Sequence, residues 1–390
     1  MPGGTGGQIR QFSLLSRLRE RGRAVTVVAP VHPSQREGAA LLAESGIRLV
    51  AVERPASRVA EVLAAVAREP ALAFGLLRDP IVAWQVQVFW TRLRSLAWTE
   101  SKSCDVVLVE HDWAARWRRD LPAALPVALA LENLSWEYYA ARAEATDGVA
   151  RRLLLAESRR FADFDARFLA AYDLLIAVSD RDRRSLAALS RRPCVVIPNG
   201  VDTSAGLPLS KLDGPATVLY TGTMDYPPNA EGLLWLLREI WPRIQASHPD
   251  ARLVVVGRNP PEAARELAGS RVDLMGFVED IGPCFQGATV AVVPILSGGG
   301  TRLKVLDAFS HGLPVVSTTL GCSGIACRDG EHLSIADHAE VFSQRVLDLL
   351  ADRARGASLG AAARQLAEER YDWGALGDQL DSCLSSLVAS

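Results

Sequence analysis

The run Ser297-Gly298-Gly299-Gly300-Thr301-Arg302-Leu303-Lys304-Val305-Leu306-Asp307 constrains this chain more than any other stretch. It follows an apolar strand pattern, Val290 to Ile295, and opens a helical pattern that ends near His311-Gly312. A strand, a glycine loop and a helix start form an arrangement that holds phosphate. Glycines let the backbone approach an anion, free amides point at it, and the helix dipole favours negative charge there. Arg302 and Lys304 sit in the first turn, where dipole considerations alone disfavour cations, so an anionic ligand reconciles them. Asp307 lies three residues after Lys304, on the same helix face. Phosphate donors followed by a carboxylate acceptor suit a nucleotide diphosphate and its ribose. The alternative is an ordinary glycine-rich loop with solvated charges. Lysine is otherwise confined to Lys102 and Lys211, which weighs against that alternative.

At 390 residues the chain suits two domains better than one. A hydrophobic fraction of 49% and a charged fraction of 23% are ordinary for a globular protein. No run of eighteen apolar residues and no signal peptide stands out. Six cysteines, at 104, 194, 284, 322, 327 and 383, are scattered without a CxxC pair. They read as small buried hydrophobes in a reducing, cytoplasmic setting, neither a disulfide framework nor a zinc site. The net charge of -2 hides an asymmetry: residues 1–200 carry +6 and the remainder -8. A basic first half suits an anionic acceptor or peripheral contact with an anionic lipid surface, and an Arg-biased composition is the plainer reading. Nothing in the chain points to nucleic acid.

Both halves alternate strand and helix patterns, which argues doubly wound parallel sheets. In the first half a helix runs from Gln8 to Arg21. Strands are expected at 24–29, 48–53, 105–110, 126–131 and 173–178. A second series begins at Thr217, with strands at 217–221, 252–257, 272–275, 289–294 and 314–317. Between them, Val201 to Pro215 is rich in Gly, Pro, Ser and Asp and reads as a linker and hinge. The tail from Tyr371 to Leu387 is a last helix, with Trp373, Leu376, Leu380 and Leu387 on one side. Residues 73–98 interleave Trp84, Phe89, Trp90 and Trp98 with Arg78, Arg92 and Arg94. A core or cleft-lining helix pair is favoured there over a membrane-interface helix.

Taken together, the motifs resemble the GT-B-fold glycosyltransferases of the large retaining group called family 4 or group 1. Gly6-Gly7-Gln8-Ile9-Arg10 is similar to the family's first glycine loop and helix. Val178-Ser179 and Ile197-Pro198-Asn199-Gly200-Val201-Asp202 resemble the end of its N-terminal domain. Tyr220-Thr221-Gly222, LVVVGRNPP, GFVEDI and GGGTRLKVLDAFSHGLPVVST resemble its second domain. The resemblance covers nearly the whole chain. It implies an α/β architecture of two Rossmann-like doubly wound domains facing across a cleft. Residues 1–205 would form the acceptor-side domain, 206–370 the nucleotide-sugar domain, and 371–390 a helix returning to the first domain.

The same resemblance implies transfer of a sugar, with retention, from a UDP- or GDP-sugar to a sugar, lipid-linked or small-molecule acceptor. The setting it implies is bacterial polysaccharide or glycoconjugate synthesis. No cofactor and no metal is expected, because fixed donors stabilise the leaving phosphate. Arg302 and Lys304 would act on that phosphate. Gly298, Gly299, Gly300 and Thr301 would supply loop amides, Asp307 would hold the ribose, and Gly222, Arg258 and Phe277 would line the donor site. His111 would contact the transferred sugar, and Gly6, Gly7 and Asp225, with Tyr226, would face the substrates.

Two departures from the family pattern matter. Asp307 stands where the family has the second Glu of a paired motif, and Gly299 stands where it has the first. The family's Arg and Lys after the first strand of the second domain are also missing, because Thr223 follows Gly222. Arg302 and Lys304 are taken to replace them. Within such a fold the first glycine loop follows a central strand, yet only five residues precede Gly6, so the natural start is expected upstream. Asp163-Phe164-Asp165 spells a DxD metal motif but falls in a helical pattern, so salt bridging to nearby Arg is expected instead. A nucleotide-sugar epimerase and a catalytically inactive sugar-nucleotide binder remain the competing readings.

Overall fold

The structure is a computed structural model that describes the chain except residues 1–5, 32–35, 54–66, 68–74, 76–77, 90, 145, 205–214, 299–302 and 390. It divides into two compact units. One runs from the N-terminal segment through Pro198 and takes up the chain again from Gly377; the other is Asn199–Leu376.

The first unit holds two parallel sheets. Strand β1 (Thr26–Val31) pairs with β2 (Arg48–Glu53), Thr26 opposite Arg48. Strands β3 (Val107–Glu110), β4 (Val127–Leu131), β5 (Leu174–Ala177) and β6 (Cys194–Val196) form a second sheet in sequence order. β4 reads VALAL and is buried along its whole length, as a strand covered on both faces must be. Its side chains join Phe164, Phe168, Tyr172 and Leu175 in the unit's core. The expected strand at 24–29 begins two residues later, because the helix Gly6–Glu20 closes through a bond from Arg23 N to Leu18 O. β6 spans three residues, too few for a periodic signature.

The last helix, Trp373–Ala389, buries Leu376, Leu380 and Leu384. From Gly377 it belongs to the first unit, where arginines of the first helix and its turn hold it. Arg21 and Arg17 meet Asp378 at 2.6 and 2.9 Å, and Arg23 meets Asp381 at 2.6 Å. Those two guanidinium partners hold the Asp378 carboxyl well below the usual carboxylate range. In the 73–98 region, helices Ile81–Phe89 and Thr91–Ser101 bury Ala83, Val86 and Leu93. Trp98 is exposed, with Lys102 Nζ 3.4 Å from the ring centroid.

The second unit is one six-stranded parallel sheet: β7 (Thr217–Thr221), β8 (Arg252–Val256), β9 (Val272–Gly276), β10 (Val290–Val293), β11 (Val315–Ser317) and β12 (Ser334–Ile335). Its order is 12-11-10-7-8-9. The chain starts at a central strand, winds outward through β8 and β9, then returns to the other side of β7. The neighbouring carboxyl ends of β7 and β10 therefore form a topological switch point, where a crevice opens in such sheets.

Two expectations need correction. Asp163 and Asp165 do lie in a helix, Gly148–Phe168, but among the described residues neither has a salt-bridge partner. Asp165 is fully buried and neither carboxylate oxygen has a hydrogen-bond partner, so burial raises its pKa well above the ordinary value. Arg167 pairs with Asp79 at 2.9 Å and only touches the Asp163 backbone carbonyl. The cysteines are all free, yet only Cys322 is fully buried.

Gly360 tests the packing of the second unit. A Cβ there would strike the carbonyl of Gly312, in the turn that leads into β11. Gly360→Ala should lower stability by about 1–3 kcal/mol in urea denaturation. Gly269→Ala, with open space around its Cβ position, should stay within about 0.5 kcal/mol.

Candidate functional site

At the switch point of the second unit, β7 ends in Thr221-Gly222. Gly222 adopts φ 152° and Gly257, at the end of β8, also φ 152°. The two turns touch: a Cβ on Gly257 would collide with the Gly222 carbonyl. Both positions therefore need glycine. Over this turn stands Lys304, from the first turn of the helix Leu303–Ser310 that follows β10. A Cβ on Gly222 would lie 2.8 Å from Lys304 Nζ.

Lys304 Nζ donates to Asn229 Oδ1 at 2.8 Å, and Asn229 Nδ2 donates to the Thr223 carbonyl at 2.8 Å. Asn229 is buried, in the first turn of the helix Pro227–Trp235. Tyr220 Oη donates to its carbonyl at 2.6 Å, and Lys304 Nζ also sits 5.2 Å from the Tyr220 ring centroid. A neutral amide thus fixes the ammonium over the Gly222 turn. Sequence reasoning missed Asn229. The available clue was a polar residue on the inward face of a helix opened by Pro227-Pro228.

Asp307 stands one turn below Lys304. Burial pushes its carboxyl up to about 7, against the pull of Lys304. On the far side of the loop, Gly298 adjoins Tyr226, whose hydroxyl is 2.6 Å from where a Cβ would stand. Arg258 lies 4.2 Å from the centroid of the half-exposed Phe277 ring, at the ends of β8 and β9. Asp225 is exposed and accepts both its bonds from Asn259 Nδ2, at 2.9 and 3.0 Å. The structure therefore gathers Gly222, Gly298, Lys304, Asp307, Arg258, Phe277 and Asp225 at the carboxyl ends of one sheet. Gly299, Gly300, Thr301 and Arg302 lie outside the described residues.

In the first unit, Glu110, His111 and Glu132 collect at the carboxyl ends of β3 and β4. His111 has φ 73°, a conformation that costs a non-glycine residue and often marks functional sites. Its ring stacks on Trp113 at 4.8 Å. The next residue, buried Asp112, locks this turn by accepting from Trp113 N at 2.8 Å, Ser135 N at 2.8 Å and Ser135 Oγ at 2.9 Å.

Gly7, in the first turn of the helix Gly6–Glu20, faces the Glu132 carboxylate, which would overlap a Cβ there. The anion-seeking end of that helix thus has a carboxylate of its own chain beside it. Gln11 Nε2 donates to Glu132 at 3.2 Å. Buried Arg10 donates to the carbonyls of Pro198 and Ile197 at 2.6 and 2.8 Å. Burial lowers its pKa, and Glu110 and Glu132 oppose that shift. Burial pushes Glu110 up to about 8, although Arg10 favours its charged form. Among the described residues no group of His, Cys, Asp or Glu could hold a metal ion.

The matches with known proteins accord with this geometry. The family model "Glycosyltransferase Family 4" matches residues 4–205 and "Glycosyl transferases group 1" matches 215–352. The chain belongs to glycosyltransferase family 4. A phosphatidyl-myo-inositol mannosyltransferase of Mycobacterium leprae is 31% identical over 229 residues, which are 55% of this chain and 59% of that protein. A GDP-mannose-dependent monoacylated alpha-(1-6)-phosphatidylinositol monomannoside mannosyltransferase of Corynebacterium glutamicum is 27% identical over 227 residues, 52% of this chain and 59% of the relative. The chain thus matches little more than half the length of these curated relatives. The crystal structure of Anabaena HepE in complex with UDP superposes with TM-score 0.70 at 16% identity, covering 99% of this chain and 98% of that one. That likeness establishes the GT-B fold for this family 4 member.

Glu110 gives the site a pH signature. Its folded pKa lies above the unfolded carboxyl value of about 4.3, so the native state binds the extra proton. Its contribution to stability is full below that value and falls as pH rises towards about 8. Glu110→Gln should flatten this decline, by up to about 4 kcal/mol across the window. Denaturation midpoints from pH 5 to 8 measure it, and parallel curves for both proteins would contradict the assignment.

Proposed function

We propose that this protein transfers a sugar, with retention, from a nucleotide-diphosphate sugar to an acceptor hydroxyl, without a bound metal. The observation that carries this reading is Lys304 held over the Gly222 turn at the switch point of the second unit's sheet. Negative charge develops on the β-phosphate as the glycosidic bond breaks. A cation already fixed by Asn229 stabilises that charge with little reorganisation. Arg302 and the amides of 298–301 are assigned to the same phosphates. Asp307 is assigned to the ribose hydroxyls and the Arg258–Phe277 pair to the base. His111 is assigned to the transferred sugar.

The names of the relatives support a sugar nucleotide as donor. The Corynebacterium glutamicum relative is named as GDP-mannose-dependent, and HepE was crystallised with UDP. A GDP- or UDP-sugar is therefore proposed, with a sugar or lipid-linked acceptor. No helix among the described residues is long and apolar enough to cross a membrane, so contact with a lipid-linked acceptor would be peripheral. An epimerase is not favoured, since the family and the named relatives are transferases.

Calorimetric titration with UDP, GDP and ADP, with and without Mg²⁺, tests the reading. One diphosphate should bind regardless of metal. Lys304→Ala should weaken it by about 1.5–3 kcal/mol, the scale of a charge-assisted hydrogen bond, and leave the nucleoside unaffected. Unchanged diphosphate affinity would remove the phosphate assignment. His111→Ala should lower turnover and spare nucleotide affinity. Nucleotide affinity of the wild type should also rise with pH through about 7, as Asp307 becomes an acceptor for ribose. Asp307→Asn should abolish that dependence.

A further inference from the structure

The helix Gly148–Phe168 outlasts the core it packs on. Its inward face buries Glu157, Phe161, Phe164, Asp165 and Phe168. Leu153 and Val149 continue that face at four-residue steps before Glu157. They are not covered: Val149 is 71% exposed and Leu153 67%, the two most exposed large apolar side chains among the described residues. At Glu157 a second helix joins this line. Ile81 N, at the start of the helix Ile81–Phe89, donates to Glu157 Oε1 at 2.5 Å, and the Ile81 side chain is itself 46% exposed. Val149, Leu153 and Ile81 thus form an apolar ridge about 12 Å long at the rise of an α-helix.

The ridge is basic. Residues 148–162 hold Arg151, Arg152, Arg159 and Arg160 against one carboxylate, the buried Glu157. Glu144 and Asp147 bound this stretch before the helix starts. At helical spacing Arg152 and Arg159 lie together on one flank of the Val149–Leu153 line. Arg160 sits on the line itself, 3.5 Å from Glu157. The exposed guanidinium groups of Arg151, Arg152 and Arg159 have no hydrogen bond or ion pair among the described residues, and neither has that of Arg78, three residues before Ile81.

A convex apolar ridge beside unpaired arginines limits what can cover it. An extended peptide needs a groove or a free sheet edge. A second copy would bring the same arginines face to face, and like charges across an interface are costly. An anionic bilayer meets both features: apolar side chains enter the acyl boundary, and the arginines meet lipid phosphates.

We propose that the ridge of Val149, Leu153 and Ile81, with Arg152 and Arg159, is the surface by which the first unit docks on an anionic lipid bilayer. Reaching a lipid-linked acceptor is the use this serves, and that use rests on the proposed transferase reading; the docking itself does not.

Cosedimentation of the full-length protein with extruded vesicles tests the surface. Wild type should bind phosphatidylglycerol at least about tenfold more tightly than phosphatidylcholine, and the difference should shrink as salt rises. Val149→Ser with Leu153→Ser should lose at least about tenfold in affinity for phosphatidylglycerol, as should Arg152→Gln with Arg159→Gln. All four positions are exposed, so the melting temperature should not move. Val341→Ser, at an exposed valine of the second unit, should bind as wild type does. No preference for phosphatidylglycerol, or ridge variants that bind it as well as wild type, would overturn the proposal. So would a dimer in light scattering that dissociates in the same variants, since a second copy would then cover the ridge. A wild type that binds phosphatidylglycerol but neither UDP nor GDP would keep the docking surface and sink the transferase reading.

Discussion

The hydrogen bond from Lys304 to Asn229 is the interaction on which the crevice of the second unit depends. A cation at a helix N-terminus is disfavoured by the dipole. The amide of Asn229 holds it there by accepting from Nζ. The arrangement requires Asn229 to be fixed as well, and it is: its own Nδ2 is bound to the Thr223 carbonyl and its backbone carbonyl to Tyr220. The sheet order completes the logic. Because β7 and β10 are neighbours whose connections leave in opposite directions, the turn at Gly222 and the loop ending in Lys304 meet at one crevice.

The first unit solves a different electrostatic problem. It brings Glu110 and Glu132 to adjacent strand ends and sets one buried guanidinium, Arg10, near them. Arg10 is itself anchored on two backbone carbonyls after β6. Glu132 stays beside the glycine turn of the first helix, where Gln11 donates to it. Glu110, deeper, is driven towards the protonated form by burial. The two carboxyls therefore sit in different environments, and the first helix end already has a carboxylate of the chain beside it.

Much of this was legible in the sequence. The strands at 48–53 and 217–221 fall where the apolar runs place them, and the second reads as continuous hydrophobicity because it is a parallel strand buried along nearly its whole length. Glycines 222 and 298 could be singled out because a glycine just past a strand end marks a backbone that turns through positive φ or admits a close neighbour. Asn229 offered only a polar residue on the inward face of a helix opened by two prolines, since its role exists only once Lys304 is folded against it. Asp165 misled for a related reason: arginine neighbours in sequence suggested an ion pair, but the helix turns it inwards and gives Arg167 to Asp79.

The strain at His111 links sequence to chemistry most directly in the first unit. A histidine with φ 73° pays for its conformation, and the cost is met by Asp112, whose three hydrogen bonds fix the turn on both sides. A core or capping histidine would have no need of such support, because a relaxed backbone serves equally well for packing. Holding the ring against Trp113 at a strand end instead gives the imidazole one fixed presentation. Pre-organisation of that kind lowers a reaction barrier only if the group meets charge or a hydroxyl that changes during the reaction. The strained backbone and its buried carboxylate brace therefore favour a role for His111 at the reacting sugar over a role in stability.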